Sequence, residues 1–230
     1  MILTAHQPQF FAGYAGYISK ILESDVYLYM DDVDYEKGSF TNRNRIRNSQ
    51  GWQWLTVPIL KPYGKIKDIR IDNTKPWREK HLKSIEQNYS KAKYFDRYYQ
   101  PIRDVYYGEQ WEYLSDFNLF ALGTVLKELG ITTPIIRQSD GDYHGTKSEL
   151  ILDFCLKTGA DWFIFGLQGR DYCNEKIFEA AGIQVEYQDY TCNIYPQCYD
   201  GFVERLSVLD LLMCMGPNSL DIIRGNESKT

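Results

Sequence analysis

The chain is poor in the residues that build metal and disulfide sites. It has only three histidines and five cysteines, at positions 155, 173, 192, 198 and 214. There is no HExxH, no paired Cys/His spacing and no glycine-lysine phosphate loop, so no structural metal is expected. The cysteine number is odd and no CxxC pair occurs. Nothing at the N-terminus reads as a secretory signal, so free thiols in a reducing cytoplasm are expected. The opening "MILTA" is apolar but far too short for a membrane span. Basic residues are also short, with a net charge of −5, which excludes the broad basic field of a nucleic-acid binder. Repeats, low-complexity segments and linkers are missing, so residues 1–230 read as one α/β domain.

Aromatics are abundant at 15%, and 19 residues are Tyr, a side chain that serves cores and wet pockets alike. Ile2–Ala5 reads as a short buried strand, "AGYISKILES" as a helix with Tyr17, Ile18, Ile21 and Leu22 on one face, and "DVYLYMDD" as a second buried strand. Strand, helix, strand implies a βαβ unit and a mostly parallel sheet flanked by helices, Rossmann-like. Residues 52–60 and 66–71 read as strands. Trp77 to about Tyr107 reads as helix broken before Pro101, and Trp111–Leu129 as a second helix stopped by Gly130; together, 77–129 form a helical lobe. "TPIIRQS", "DWFIFG" and "IQVEYQDY" read as strands. "GTKSELILDFCLKTGA", "NEKIFEAAG" (capped by Asn174) and "SVLDLLMCMG" (capped by Ser207) read as helices, and the tail "RGNESKT" as frayed.

Ligands of open α/β sheets sit beyond the carboxyl ends of the strands. His6 and Gln7 follow the first strand, and Asp31 and Asp32 end the second. His6 reads as a general base, a phosphate-contacting donor, or a loop histidine bonded to backbone. In "SFTNRNRIRNSQGWQWLTVP", residues 39–58, Arg43, Arg45 and Arg47 alternate on one face of an extended segment, with Asn42 and Asn44 on the other. They read as a clamp for a diphosphate or as a solvated loop balancing Asp31, Asp32 and Asp34. "FGLQGRDY", residues 165–172, joins a strand to a helix. There Gly166 and Gly169 let backbone approach a ligand, and Gln168 and Tyr172 line a pocket. Cys173 has no neighbouring activator in sequence. His81 and Asn118 read as helix-packing or surface residues, and His144 as an exposed loop residue.

The segments "HQPQF", "GYISKI", "SDVYLYMDDVDYEKGSFTNRNRI", "WLTVPI", "KHLKSIEQNY" and "LSVLDLLMCMG" together resemble the WbqC-like family of bacterial proteins, in order from His6 to Gly216. Two departures occur: "FFAGYAGY" lacks the family's Tyr-Leu-Pro, and Cys173 stands where the family has an apolar residue. The resemblance implies a cytoplasmic transferase of O-antigen and other surface-polysaccharide synthesis, with glycyl transfer onto an amino sugar as one form. The opening strand, histidine loop and helix also resemble the nucleotidyltransferase-like α/β fold, in which such a loop and the following helix N-terminus bind nucleotide phosphates.

Three readings follow. The first is an acyl or aminoacyl transferase making an amide on a nucleotide-linked amino sugar. His6 would be its base, Arg43 and Arg45 would hold phosphate, and a thioester, free or on a carrier protein, would donate. The second is an ATP-using nucleotidyl- or adenylyltransferase with magnesium, in which His6 and Lys20 stabilise the phosphorus centre. Of Asp31 and Asp32, neighbours on opposite strand faces, at most one would point to that ion, and pairing with the arginines is their other reading. The third is a non-catalytic sugar-nucleotide binding protein.

Overall fold

The protein is described by a computed structural model over residues 1–225. The tail beyond Gly225, which includes most of the segment expected to fray, lies outside the described residues. The chain opens with β1 (Ile2–His6), α1 (Ala15–Leu22) and β2 (Val26–Tyr29). An antiparallel hairpin follows, β3 (Arg43–Asn48) and β4 (Gly51–Thr56), then α2 (Trp77–Tyr89), α3 (Phe95–Tyr107) and α4 (Leu114–Leu129). The last part comprises β5 (Ile135–Arg137), α5 (Ser148–Thr158), β6 (Trp162–Phe165), α6 (Glu175–Ala180), β7 (Gln184–Tyr187), α7 (Val208–Met215) and α8 (Ser219–Ile223).

Five strands form one sheet in the order β5-β2-β1-β6-β7, and every pairing is parallel. This is a Rossmann-like arrangement, and the period-two alternation of its strands explains its two faces. Leu3, Ala5, Leu28, Phe163 and Phe165 point to one side, against Leu150, Ile151, Phe154 and Phe178 of α5 and α6. Tyr27 and Tyr29 point to the other side, into a larger cluster shared with α1, the α2–α4 helices, α7 and α8. Among the described residues, no helix is long and apolar enough to cross a membrane.

Glycine stops are where the sequence places them: Gly130 and Gly159 end α4 and α5 in the left-handed conformation. Ser207 caps α7, its Oγ accepting from Leu209 N. Asn174 precedes α6, but its side chain makes no capping bond. Three expectations are corrected. Residues 66–71 are not a strand; Ile66–Asp68 is a 3-10 turn, and isolated bridges join Ile71 to Ile59 and Arg70 to Tyr113. The helix from Trp77 breaks at 90–94, not before Pro101, which lies inside α3. The break lets Tyr94 N donate to Met213 O at the end of α7. There Gly216, at φ 55, presses on the Tyr94 ring so closely that a Cβ would lie 2.5 Å from it. The following helix starts at Leu114 instead of Trp111.

The hairpin is a separate two-stranded sheet, and only half of it is core. Asn44, Ile46 and Leu55 face inward and are buried, whereas Trp52 and Trp54 are 41% and 37% exposed. The expected core strand over "WQWLTVP" is therefore half solvent-facing. Asn44 fixes the hairpin to the turn after β1. Its Nδ2 donates to Phe10 O at 3.0 Å and Gly13 O at 3.2 Å, while its Oδ1 accepts from Arg45 N at 2.8 Å. Asn44→Ala leaves buried carbonyls without this donor and is expected to cost about 3 kcal/mol. Urea unfolding would measure it; a loss below about 1 kcal/mol would show that the turn holds without Asn44.

Candidate functional site

The β-strand order reverses between β1 and β6, the position at which a crevice is expected in an open α/β sheet. The chain leaves β1 through α1 toward β2, and leaves β6 through α6 toward β7 on the opposite side, so the two connections part above the β1–β6 pair. This switch point is where open α/β sheets bind ligands. His6 is the last residue of β1 and Gly166 the first after β6.

His6 is partly buried, and its tautomer follows from one contact. Nδ1 lies 2.8 Å from Gln7 O, a group that only accepts, so Nδ1 carries the proton and Nε2 keeps its lone pair. The Gln9 amide is 3.4 Å from that Nε2. The Tyr27 hydroxyl donates to His6 O, and the Tyr17 ring meets the imidazole edge-on at 5.3 Å. Burial and the neighbouring Lys20 charge depress the imidazole to about 3, against the bond to Gln7, so His6 is neutral at physiological pH.

Lys20 projects from α1 beneath the same edge and is only 3% exposed. Its Nζ donates to Ala5 O at 3.0 Å. Burial lowers its amine to about 7, so it exchanges its proton near neutrality. A Cβ added at Gly166 would meet only Lys20 Nζ, at 3.9 Å. The bare glycine therefore leaves the space beside the amine open. Beyond it, the 3-10 turn Leu167–Asp171 carries exposed Gln168 and leads to exposed Tyr172. Gly169 serves packing instead, since a Cβ there would lie 2.6 Å from Phe165. His6, Gln7, Lys20 and Gly166 thus share one edge with the turn bearing Gln168 and Tyr172.

The hairpin residues are engaged with partners of their own. Asn42 donates to Val57 O and accepts from Tyr35; with Asn44 it serves the turn and the hairpin base. Arg43 stacks 4.2 Å over Trp54 and donates to Gly38 O. Arg45 lies 5.1 Å over Trp52 and donates to Glu204 O and Arg205 O. Arg47 is buried and spends its guanidinium on the carbonyls of Asn48, Gly51 and Asp200. All three lie on the face opposite Asn44, the residue that touches the β1 turn. The acids also differ from expectation, since none pairs with these arginines. Asp31 is buried against Arg137, Ser115 and Ser139. Asp32 pairs with Lys65 and Lys67, at 2.7 and 3.0 Å. With each carboxylate already neutralised, and no cluster of three metal-ligating side chains among the described residues, this donor set does not fit a magnesium ion.

His81 is a core histidine, 3.1 Å from Thr56 O and in reach of the Tyr106 hydroxyl. Asn118 is buried and donates to Thr41 O, and His144 is exposed beside Asp142. Burial raises the Cys173 thiol above its ordinary range, which leaves it a poor nucleophile. The supporting residues Gln9, Tyr17 and Tyr27 lie within the quoted segments, but nothing in those segments singled them out as supports of His6. The period-two tyrosines of "VYLY" were the available signal, since Tyr27 and Tyr29 must share a face.

Comparison with known proteins follows this geometry. The WbqC-like protein family matches residues 7–222. A Mycobacterium tuberculosis protein described as uncharacterized, Rv1507c, is 33% identical over 213 residues, covering 91% of this chain and 92% of its own length. No solved structure matches the chain.

The buried amine generates a pH signature. Lys20 titrates at 10.5 when unfolded and at about 7 when folded. Between those values the unfolded state binds the additional proton, so this group makes stability rise with pH. Lys20→Met removes that contribution. Urea midpoints measured from about pH 7.5 to 9.5 should rise less steeply in the variant than in wild type; equal slopes would show that Lys20 is charged in the fold.

Proposed function

The chain belongs to the WbqC-like protein family, and on that premise we propose a transferase of surface-polysaccharide (O-antigen) synthesis that forms an amide on a nucleotide-linked amino sugar. The observation that carries this reading is the placing of a neutral imidazole and a buried amine of pKa about 7 beside an open glycine at the sheet's switch point. The donor is an activated acyl or aminoacyl group such as a thioester. The sugar amine attacks its carbonyl carbon, a C–N bond forms, the C–S bond breaks, and the sulfur leaves as a thiolate. The amine must shed one proton on the way. A base matched to neutral pH does this best, and Lys20 fits better than His6, whose depressed pKa makes it a weak base. His6 then acts through its Nε2 lone pair, which accepts a hydrogen bond from the attacking amine and aligns it. Arg170, on the turn after Gly166, supplies cationic charge on the same edge for the diphosphate; its guanidinium stands 4.5 Å over the Tyr187 ring. A phosphate role for Arg43 and Arg45 would require them to release the carbonyls they now hold.

The ATP-using alternative, in which the α1 N-terminus binds phosphate, has less support. Tyr14 and Tyr190 pack on Gly16, where a Cβ would lie 2.6 and 2.7 Å from their rings.

The test is to incubate the protein with nucleoside-diphosphate amino sugars and acyl or aminoacyl thioesters and to follow amide formation by mass spectrometry. Lys20→Met should lower turnover by about 10²–10⁴-fold and abolish an acidic limb near pH 7. His6→Gln should weaken turnover but keep that limb. If the limb vanishes in His6→Gln and survives in Lys20→Met, the roles are reversed. Tight nucleotide-sugar binding by calorimetry, without product from any donor, would replace the transferase by a binding protein.

A further inference from the structure

A second chemical site lies away from the crevice, between α7 and the segment that precedes it. Cys214 projects from α7, and Cys198 from the irregular stretch between β7 and α7. They are 16 residues apart in sequence, yet their sulfurs are 3.7 Å from each other. Both are partly buried rather than sealed, and both line a cleft of about 430 Å³. Lys91 and Lys93 stand on the cleft wall with Tyr94 and Gln197.

The two thiols are unlike. The hydrogen bond from Cys214 holds the Cys198 thiol below its ordinary range, and the Arg47 guanidinium acts in the same direction, against burial and the Asp210 charge. Cys214, as donor, is held above its range with burial adding to the effect. The other cysteines contrast with Cys198. Burial pushes Cys155 up to about 12, and raises Cys173 and Cys192. A nucleophile, a resolving thiol in contact with it, an entry cleft and cationic walls are the parts that thiol–disulfide exchange requires.

We propose that Cys198 and Cys214 form a thiol–disulfide exchange site that takes a small anionic disulfide from the cleft and closes to an intramolecular disulfide. Cys198 thiolate attacks one sulfur of the reagent; its S–S bond breaks and one half leaves as a thiolate that takes up a proton. Cys214 then loses its proton and attacks the Cys198 sulfur of the mixed disulfide, releasing the second half as a thiol. Two protein S–H bonds become one S–S bond, and the two electrons reduce the reagent to two thiols. The sulfurs need to approach by roughly 1.7 Å to reach a bond length. Because Cys214 belongs to a packed helix, the Cys198 side supplies the movement.

Oxidised glutathione is the probe, applied to the reduced full chain under argon and read by intact mass and peptide mapping. The expected product has lost two hydrogens, links the Cys198 and Cys214 peptides, and shows three alkylatable thiols instead of five after denaturation. Dithiothreitol should reverse it. Cys214→Ser should stop with one glutathione on Cys198, and Cys198→Ser should slow the first step at least about tenfold. Lys91→Glu with Lys93→Glu should slow oxidised glutathione but not the uncharged reagent 2-hydroxyethyl disulfide. Wild-type protein that keeps glutathione unresolved on Cys198, or that links other cysteines first, would overturn the proposal. The peptide map of the wild type decides this even where a variant fails to fold.

Discussion

The turn from Phe10 to Gly13 is the point on which three parts of the molecule are fastened. Asn44 from the hairpin reaches the carbonyls of Phe10 and Gly13, and Phe10 N donates to Phe40 O. From the C-terminal side, Ser207 Oγ donates to Phe11 O and Val208 N to Gly13 O. Phe11 and Ala12 hold φ values of 35 and 52, a conformation that side-chain-bearing residues adopt only where their surroundings impose it. Both are buried, Phe11 against the Tyr106 and Phe117 rings, while the neighbouring Phe10 packs on His81 and Phe117; this packing supplies that imposition. His6 lies four residues before Phe10, so the same fastening sets the direction in which β1 delivers its histidine.

That fastening also shapes the electrostatics of the crevice. With the turn drawn into the core, α1 packs tightly under β1, and the Lys20 amine is enclosed, donating to the Ala5 carbonyl. Desolvation then lowers both the amine and the imidazole, and the Lys20 charge lowers the imidazole further. The histidine of "HQPQF" becomes the steady neutral partner, and the lysine of "GYISKI" becomes the group that titrates. Asp31 and Asp32, which end the neighbouring strand, are kept from compensating either of them by Arg137, Lys65 and Lys67.

The sheet was readable because its strands are short apolar runs between glycines and caps: the βαβ opening, Gly130, Gly159 and Ser207 each act through local physics. The insertion between β2 and β5 was less readable. A tryptophan-rich strand reads as core by composition, but Trp52 and Trp54 exchange burial for stacking under Arg45 and Arg43. The arginine run shows the same difficulty: backbone carbonyls as well as phosphates attract guanidinium groups, and sequence does not record which lies nearby. Lys20 was legible as a phosphate-side cation, but not as a buried amine, because sequence does not record how deeply α1 packs under β1. The Cys198–Cys214 contact had no signal at all, because nothing in a spacing of 16 residues brings two sulfurs together.

The long sequence distance across the Phe10–Gly13 turn bears on how the protein is made. Ser207 and Phe11 are 196 residues apart, and both bonds from the C-terminal side come from the start of α7. A nascent chain emerging from the ribosome can pair β1 with β2 early, since only α1 separates them. Asn44 and Phe40 can hold the turn after His6 early, but its fastening is completed only when Ser207, 196 residues beyond Phe11, has emerged. The site is therefore completed only after the start of α7 has emerged, and a polypeptide released before α7 would display a sheet without a finished site.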